Sequence, residues 1–194
     1  MGGRRVSAVI LAGGRSSRFG RDKLAERLDG RTLLVNAIDG VTPAATEILV
    51  VAAPGASPTI PAGVILVHDP VAFEGPLAGL LAGLRASREP IVLVVGGDMP
   101  MLVGAVIEAM LVELDQVGVE AVELEHEGRA RALPLALQRQ PALAAADRLF
   151  SDGERRLRAL PEALATRILG EAAWRALDPN GMTLRDIDTP ADLG

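Results

Sequence analysis

The chain has 194 residues, a net charge of −5, 49% hydrophobic residues and 23% charged ones, which suits one soluble domain with a sizeable core. The acidic balance argues against a binder of nucleic-acid backbone, and the lack of tyrosine beside a single tryptophan argues against base stacking on single strands. There is no cysteine, so disulfides and thiolate metal sites are excluded.

In chain order, residues 5–11 (RVSAVIL) form the first predicted strand. Arg4-Arg5 ahead of it does not make an export signal, because the apolar run to Ala12 is short and leads into glycines. No apolar run reaches the ~20 residues of a membrane helix, so the expected location is the cytoplasm. A helix is predicted over 33–40, then strands at 47–53 and 63–69, a helix at 75–87, a strand at 90–98 and a helix at 101–118. The strands are near-continuous apolar runs, the pattern of strands buried on both faces in a parallel sheet. Beyond residue 118, strands are predicted at 119–125 and 132–138, separated by the turn-like HEGRAR, and helices at 141–150 and 154–164. Strand and helix alternate as a doubly wound sheet requires. The expected fold is α/β: three layers around a Rossmann-like, mostly parallel sheet, in one domain spanning 1–194.

Directly after the first strand stands AGGRSSRFGRDK, carrying Gly13, Gly14 and Gly20 with Arg15, Arg18, Arg21 and Lys23. Ligands bind beyond the carboxyl ends of strands in such sheets, and glycines let backbone N–H groups approach a phosphate. Lys23 is the only lysine among 20 basic residues. Its ammonium is a compact point charge suited to a triphosphate, where arginine's planar fork needs more room. The loop is neither G-x-x-x-x-G-K-[ST] nor G-x-G-x-x-G. A glycine turn with solvated arginines is the plain alternative.

The loop resembles the L-A-[GA]-G-x-S-x-R-[MF]-G-x-[DP]-K signature of nucleotidyltransferases, and within them the molybdenum-cofactor guanylyltransferase family. The resemblance continues through DGRTLLVNAI, DPVAFEGPLAGLLAGL, VVGGDMP, GERRLRAL and DIDTPADL, in the family's order, over residues 6 to 193. It implies a nucleotide-diphospho-sugar transferase-like fold, with a nucleotide-binding half over about 1–118 and an acceptor half over about 119–194. It places Leu11, Ala12, Gly13 and Gly14 at the base and sugar, and Arg18 and Lys23 on the triphosphate. Gly13 is the glycine that goes with guanine in this family, where alanine goes with cytosine. Many relatives carry an asparagine near Ala52 or Ala53 that contacts the nucleotide; both positions here are alanine.

Asp98 ends a strand between glycines and a proline. A carboxylate there suits Mg²⁺, which takes few carboxylates plus phosphate oxygens, although an aspartate there also suits the N-cap of the following helix. The resemblance assigns the metal to Asp98. Asp69 ends another strand and reads either as a turn-initiating Asp-Pro or, by resemblance, as a nucleotide contact. His68 reads as a strand-end residue, since no second histidine stands at metal spacing. Thr189 and Asp192 fit a capping box with Pro190 between them. Asp188 is a candidate second carboxylate on the magnesium, and Asp186 with Asp188 matches the D-[IV]-D-T-P of cytidylyltransferase relatives. Helical spacing puts Arg155 and Arg158 on one face and Arg156 elsewhere. The resemblance places Arg156 at the acceptor's phosphate.

These readings imply Mg²⁺-dependent transfer of GMP from GTP to the phosphate of molybdopterin, releasing pyrophosphate. They imply no nucleic-acid or membrane partner, and transient contact with molybdoenzyme maturation proteins. Cytidylyl transfer, transfer to another phosphorylated acceptor, and a non-catalytic nucleotide-binding module are the alternatives. A Rossmann-type dehydrogenase shares the sheet but lacks the fingerprint at residues 11 to 20.

Overall fold

The computed structural model describes residues 3–13, 23–69, 75–187 and 192. Its main sheet has seven strands: β1 (Val6–Leu11), β4 (Glu47–Ala52), β5 (Ile65–His68), β6 (Ile91–Gly96), β7 (Ala121–His126), β8 (Arg129–Gln138) and β9 (Thr166–Leu169). Their order across the sheet is β5-β4-β1-β6-β8-β7-β9. β8 alone runs antiparallel to its two neighbours; the other pairings are parallel. The mostly parallel sheet expected from the apolar runs is therefore observed.

A small hairpin of β2 (Arg27–Leu28) and β3 (Arg31–Thr32) turns on Asp29 and Gly30, both at positive φ, as a two-residue turn requires. Thr32 then accepts a hydrogen bond from Val35 N at 3.2 Å and starts α1 (Leu33–Val41). The other helices are α2 (Pro76–Ala86), α3 (Gly104–Leu114), α4 (Arg139–Ser151), α5 (Ala159–Glu162) and α6 (Glu171–Arg175). Among the described residues no helix is long and apolar enough to cross a membrane.

Alternate residues of the central strands serve opposite layers. Ile10, Leu93 and Val95 pack with Ile38, Ile107, Met110 and Trp174 on one face. Val9, Val92 and Leu49 pack with Leu80, Leu84 and Ala146 on the other. The aliphatic composition is thus spent on two apolar layers. α2 lies unusually close to the sheet: a Cβ on Gly83 would sit 2.6 Å from Val9 Cγ1.

Three expectations change. α3 begins at Gly104, not at 101. β8 starts at Arg129, so the turn after β7 is only Glu127-Gly128, both at positive φ. The helix expected over 154–164 forms only over Ala159–Glu162. Its first residues are a turn, because the Glu154 carboxylate accepts the N–H groups of Arg155 and Arg156, and such local bonds compete with a helix. Arg155 and Arg158 consequently share no helical face. β9 and α6, beyond residue 164, were not expected.

Candidate functional site

The carboxyl ends of β1, β4 and β6 meet around Leu11. Its carbonyl accepts Gly97 N at 3.0 Å, and the next amide, Ala12 N, donates to Val51 O at 2.8 Å. These bonds fix the start of the glycine loop between the two neighbouring strand ends. Beside it opens a cavity of about 660 Å³. Leu11 and Gly13 form one wall, Ala52 and Ala53 a second, and Gly75, Pro76 and Gly79 of α2 a third, with Asp69 among them.

The walls are apolar, as ligand pockets usually are, with a carboxylate to fix orientation. A Cβ on Gly79 would lie 3.8 Å from Asp69 Oδ2, and one on Gly13 would lie 3.9 Å from Ala53 N. A methyl group at either position would meet only ordinary contact. Ala52 O accepts Asp69 N at 2.9 Å and Ala53 O accepts Ala56 N at 3.0 Å. With alanine side chains at both positions, this stretch offers the cavity methyl groups and backbone. His68 Nε2 lies 2.9 Å from Ala56 O, a strand-end contact that involves no ligand.

On the other side of Leu11, Lys23 opens a short 3₁₀ turn, Lys23–Ala25. Its Nζ lies 2.8 Å from Asp98 Oδ2, with the lysine side chain 12% and the aspartate side chain 34% exposed. Two glycines make this meeting feasible. A Cβ on Gly96 would sit 2.5 Å from Asp98 Oδ1, and one on Gly97 would sit 3.1 Å from Leu24 Cδ1. Gly96 thus makes room for the carboxylate, and Gly97 for the residue that seats Lys23. Leu24 and the glycine pair belong to the site on this evidence; the sequence signal for them was the glycine pair beside Asp98.

Asp98 does not cap a helix. The residue capping α3 is Val103, without a side-chain bond, and Val103 N donates to Thr183 Oγ1 at 3.2 Å. Asp98 O instead accepts Ile187 N at 3.1 Å, which brings the closing segment to the site. That segment is anchored by Asp178, 2% exposed, which accepts Met182 N at 3.0 Å and Thr183 N at 2.7 Å. Burial by itself would raise the Asp178 carboxyl; the N–H donors of Thr183, Met182 and Gly181 outweigh it and hold the group below the usual carboxylate range. Asp186 lies 3.5 Å from the Arg131 guanidinium.

Among the described residues no three of His, Asp and Glu gather as a metal cage. The donor set still fits a Mg²⁺ that comes with phosphate oxygens, since such an ion needs only one or two protein carboxylates. Asp98 is the described carboxylate for that role: it is partly exposed at a strand end and already faces a cation.

Arg156 is 60% exposed and pairs with its neighbour Glu154. The carboxyl of Glu154 is held down at about 2, first by that guanidinium and then by the N–H groups of Arg156 and Arg155. Arg155 lays its guanidinium over the Phe150 ring, 4.0 Å from the centroid. Gly14, Arg15, Arg18, Gly20, Arg21, Asp188, Thr189 and Pro190 lie outside the described residues.

The family described as the MobA-like NTP transferase domain matches residues 8–168. A probable molybdenum cofactor guanylyltransferase of Chloroflexus aggregans is 39% identical, covering 97% of this chain and 91% of that protein. The molybdenum cofactor guanylyltransferase of Desulfosudis oleivorans is 30% identical, covering 97% and 92%. Among solved structures, molybdopterin-guanine dinucleotide biosynthesis protein A of Archaeoglobus fulgidus superposes with a TM-score of 0.78 at 21% identity, covering 96% of this chain and 94% of that one. The 2-C-methyl-D-erythritol 4-phosphate cytidylyltransferase of Thermus thermophilus reaches 0.70 at 18% identity, covering 95% and 94%. The two structures share the fold; the sequence matches carry the kinship. From the first strand to β9, the chain belongs to the MobA-like NTP transferase family.

Proposed function

We propose that this protein transfers GMP from GTP to the phosphate of molybdopterin, releasing pyrophosphate, with Mg²⁺ at Asp98, in the cytoplasm and in transient contact with molybdoenzyme maturation proteins. The Lys23–Asp98 pair at the ends of the strands, with an apolar cavity across Leu11 from it, is the observation that carries this reading.

In it, guanine enters the cavity between Leu11–Gly13 and the first turns of α2. The Asp69 carboxylate accepts hydrogen bonds from the guanine N1–H and N2–H groups. Cytosine would present its N3 lone pair to a base-reading carboxylate, so the same group disfavours it. Gly14 joins the loop contacts, and Arg18 shares the triphosphate with Lys23. Asp188 is a second candidate carboxylate for the metal, and Arg156 a candidate for the acceptor's phosphate.

An oxygen of the acceptor phosphate forms the new bond to the α-phosphorus. The bond from that phosphorus to the α–β bridging oxygen breaks, and the electron pair leaves on pyrophosphate. No general base is required, since a phosphate monoester with a second pKa near 6 is largely dianionic at pH 7. Bound Mg²⁺ would supply charge neutralisation on the phosphate oxygens. Lys23 offsets charge on the departing pyrophosphate.

Thermal unfolding with GTP, CTP, ATP and UTP, each with and without Mg²⁺, tests the base. Ligand at ~100 times its dissociation constant adds about 2.7 kcal/mol, or roughly 2–4 °C per kcal/mol in a chain of this size. A magnesium-enhanced shift for GTP alone is expected, followed by pyrophosphate release with molybdopterin. A shift for CTP alone would make Asp186 and the residues after it the better guide. Binding without pyrophosphate release would return the non-catalytic alternative.

A further inference from the structure

Gly75, Pro76 and Gly79 bring the start of α2 to the cavity wall. The first amides of a helix need partners from outside it, and here Leu77 N donates to Arg155 O at 3.2 Å. The two backbones touch: Gly75 has φ +94°, and a Cβ there would lie 2.8 Å from Arg155 O. A carbonyl from the acceptor half therefore occupies the helix N-terminus beside the base cavity.

The Arg155 carbonyl is itself held by its neighbour. Glu154 N donates to Leu149 O at 2.9 Å, tying the turn to the end of α4. Glu154 Oε1 accepts Arg155 N at 2.8 Å and Arg156 N at 2.9 Å. The Arg155 guanidinium donates to Phe150 O and Glu154 O, both at 2.9 Å. Oε2 takes only the Arg156 guanidinium among the bonds formed here.

We propose that Glu154 is a positioning residue for the nucleotide cavity, acting through the Arg155 carbonyl on the first turn of α2; this rests on the nucleotide reading of the cavity. Without the Oε1 acceptor, two N–H groups lose their partner and the turn relaxes. The Arg155 carbonyl leaves Leu77, and the wall formed by Gly75 and Pro76 loosens. The reacting atoms lie across Leu11, at Lys23 and Asp98, so nucleotide binding suffers while the chemical step does not.

The test compares Glu154→Ala and Glu154→Gln by calorimetric titration with GTP and by steady-state pyrophosphate release. Glu154→Ala is expected to raise the Kd and KM for GTP roughly tenfold, the scale of two lost hydrogen bonds, with kcat within about twofold. Glu154→Gln is expected to stay within about twofold of the parent, because its amide oxygen still serves both N–H groups at the Oε1 position. Equal GTP affinity in Glu154→Ala overturns the inference. So does a fall in Glu154→Gln as deep as in the alanine variant, which would assign the effect to the Arg156 ion pair. If Glu154→Ala does not fold, Arg155→Ala removes the other restraint on the same turn and must raise the GTP KM; an unchanged KM rejects the role. A parent protein that binds no GTP strikes the nucleotide reading instead, before any variant is compared.

Discussion

Lys23 and Asp98 stand 75 residues apart in the chain and 2.8 Å apart in space. One opens the 3₁₀ turn Lys23–Ala25 and the other stands in the turn after β6, where the Leu11 carbonyl holds Gly97. Lys23→Met breaks a largely buried pair but leaves an aspartate that is 34% exposed and can be hydrated, so it should lower the melting temperature and keep the fold. Pyrophosphate release should fall by about 10²–10³, the usual cost of removing one charge-stabilising group. Turnover within a few-fold of the parent would remove Lys23 from the chemistry.

Asp98→Asn separates charge from shape. The backbone bond from Ile187 N to Asp98 O does not depend on the side chain, so the closing segment stays in place. Turnover should drop by about 10² or more and lose its response to added Mg²⁺. Magnesium-stimulated turnover surviving in this variant would mean that the ion sits elsewhere.

Glu123 on β7 is only 7% exposed. Burial, then the nearby Glu162 charge, raises its carboxyl from 4.5 to about 7. The folded protein therefore holds this proton more tightly than the unfolded chain. The stabilisation is complete below about pH 4.5 and is lost as pH rises through about 7, a total loss on the order of 3 kcal/mol. Glu123→Gln should leave the melting temperature near the parent's at pH 4.5 and raise it at pH 8. An equal difference at both pH values would rule out this titration.

Gly83 tests how closely α2 packs. Alanine is the better helix former by up to about 1 kcal/mol, but its Cβ would be 2.6 Å from Val9 Cγ1 in the buried layer. Overpacking of that kind costs about 1–3 kcal/mol and should win. Gly83→Ala is expected to melt several degrees lower, and an unchanged melting temperature would show that α2 can shift outward freely.

Asp178 anchors the segment that reaches Asp98. Asp178→Ala leaves Met182 N and Thr183 N without their carboxylate partner, at about 1–3 kcal/mol. Because the folded carboxyl sits below its usual range, the stabilisation is present above the ordinary carboxylate pKa and lost as pH falls through the folded one. The variant should melt lower at pH 7 and lose turnover through Ile187. Denaturation curves identical to the parent's would show that the segment is held by Thr183 alone.

The sheet was legible because the strands of its nucleotide side are continuous apolar runs that serve no other purpose. Asp98 stood out as an isolated polar departure at the end of such a run, and Lys23 as the only lysine of the sequence, just after the glycine loop. Residues 154–158 misled, since GERRLRAL has helical composition while Glu154 satisfies its neighbours' amides locally. β9 was missed because TRIL is four residues long with two of them exposed. α6 was missed because its five residues are held from outside, by Trp174 Nε1 on Glu125 O at 2.7 Å and by Glu125 Oε2 on Glu171 N at 3.1 Å. Contacts of that range leave no periodic trace in the sequence.

The reversed strand β8 sets an order of events during synthesis. β6, with Asp98 just beyond it, leaves the ribosome with one edge unpaired and waits for residues 135–138 to cover it. The Arg155 carbonyl that accepts Leu77 N at the first turn of α2 emerges later still, after β7, β8 and α4. A nascent chain therefore carries Lys23 and Asp98 well before the backbone contact at the first turn of α2 can form.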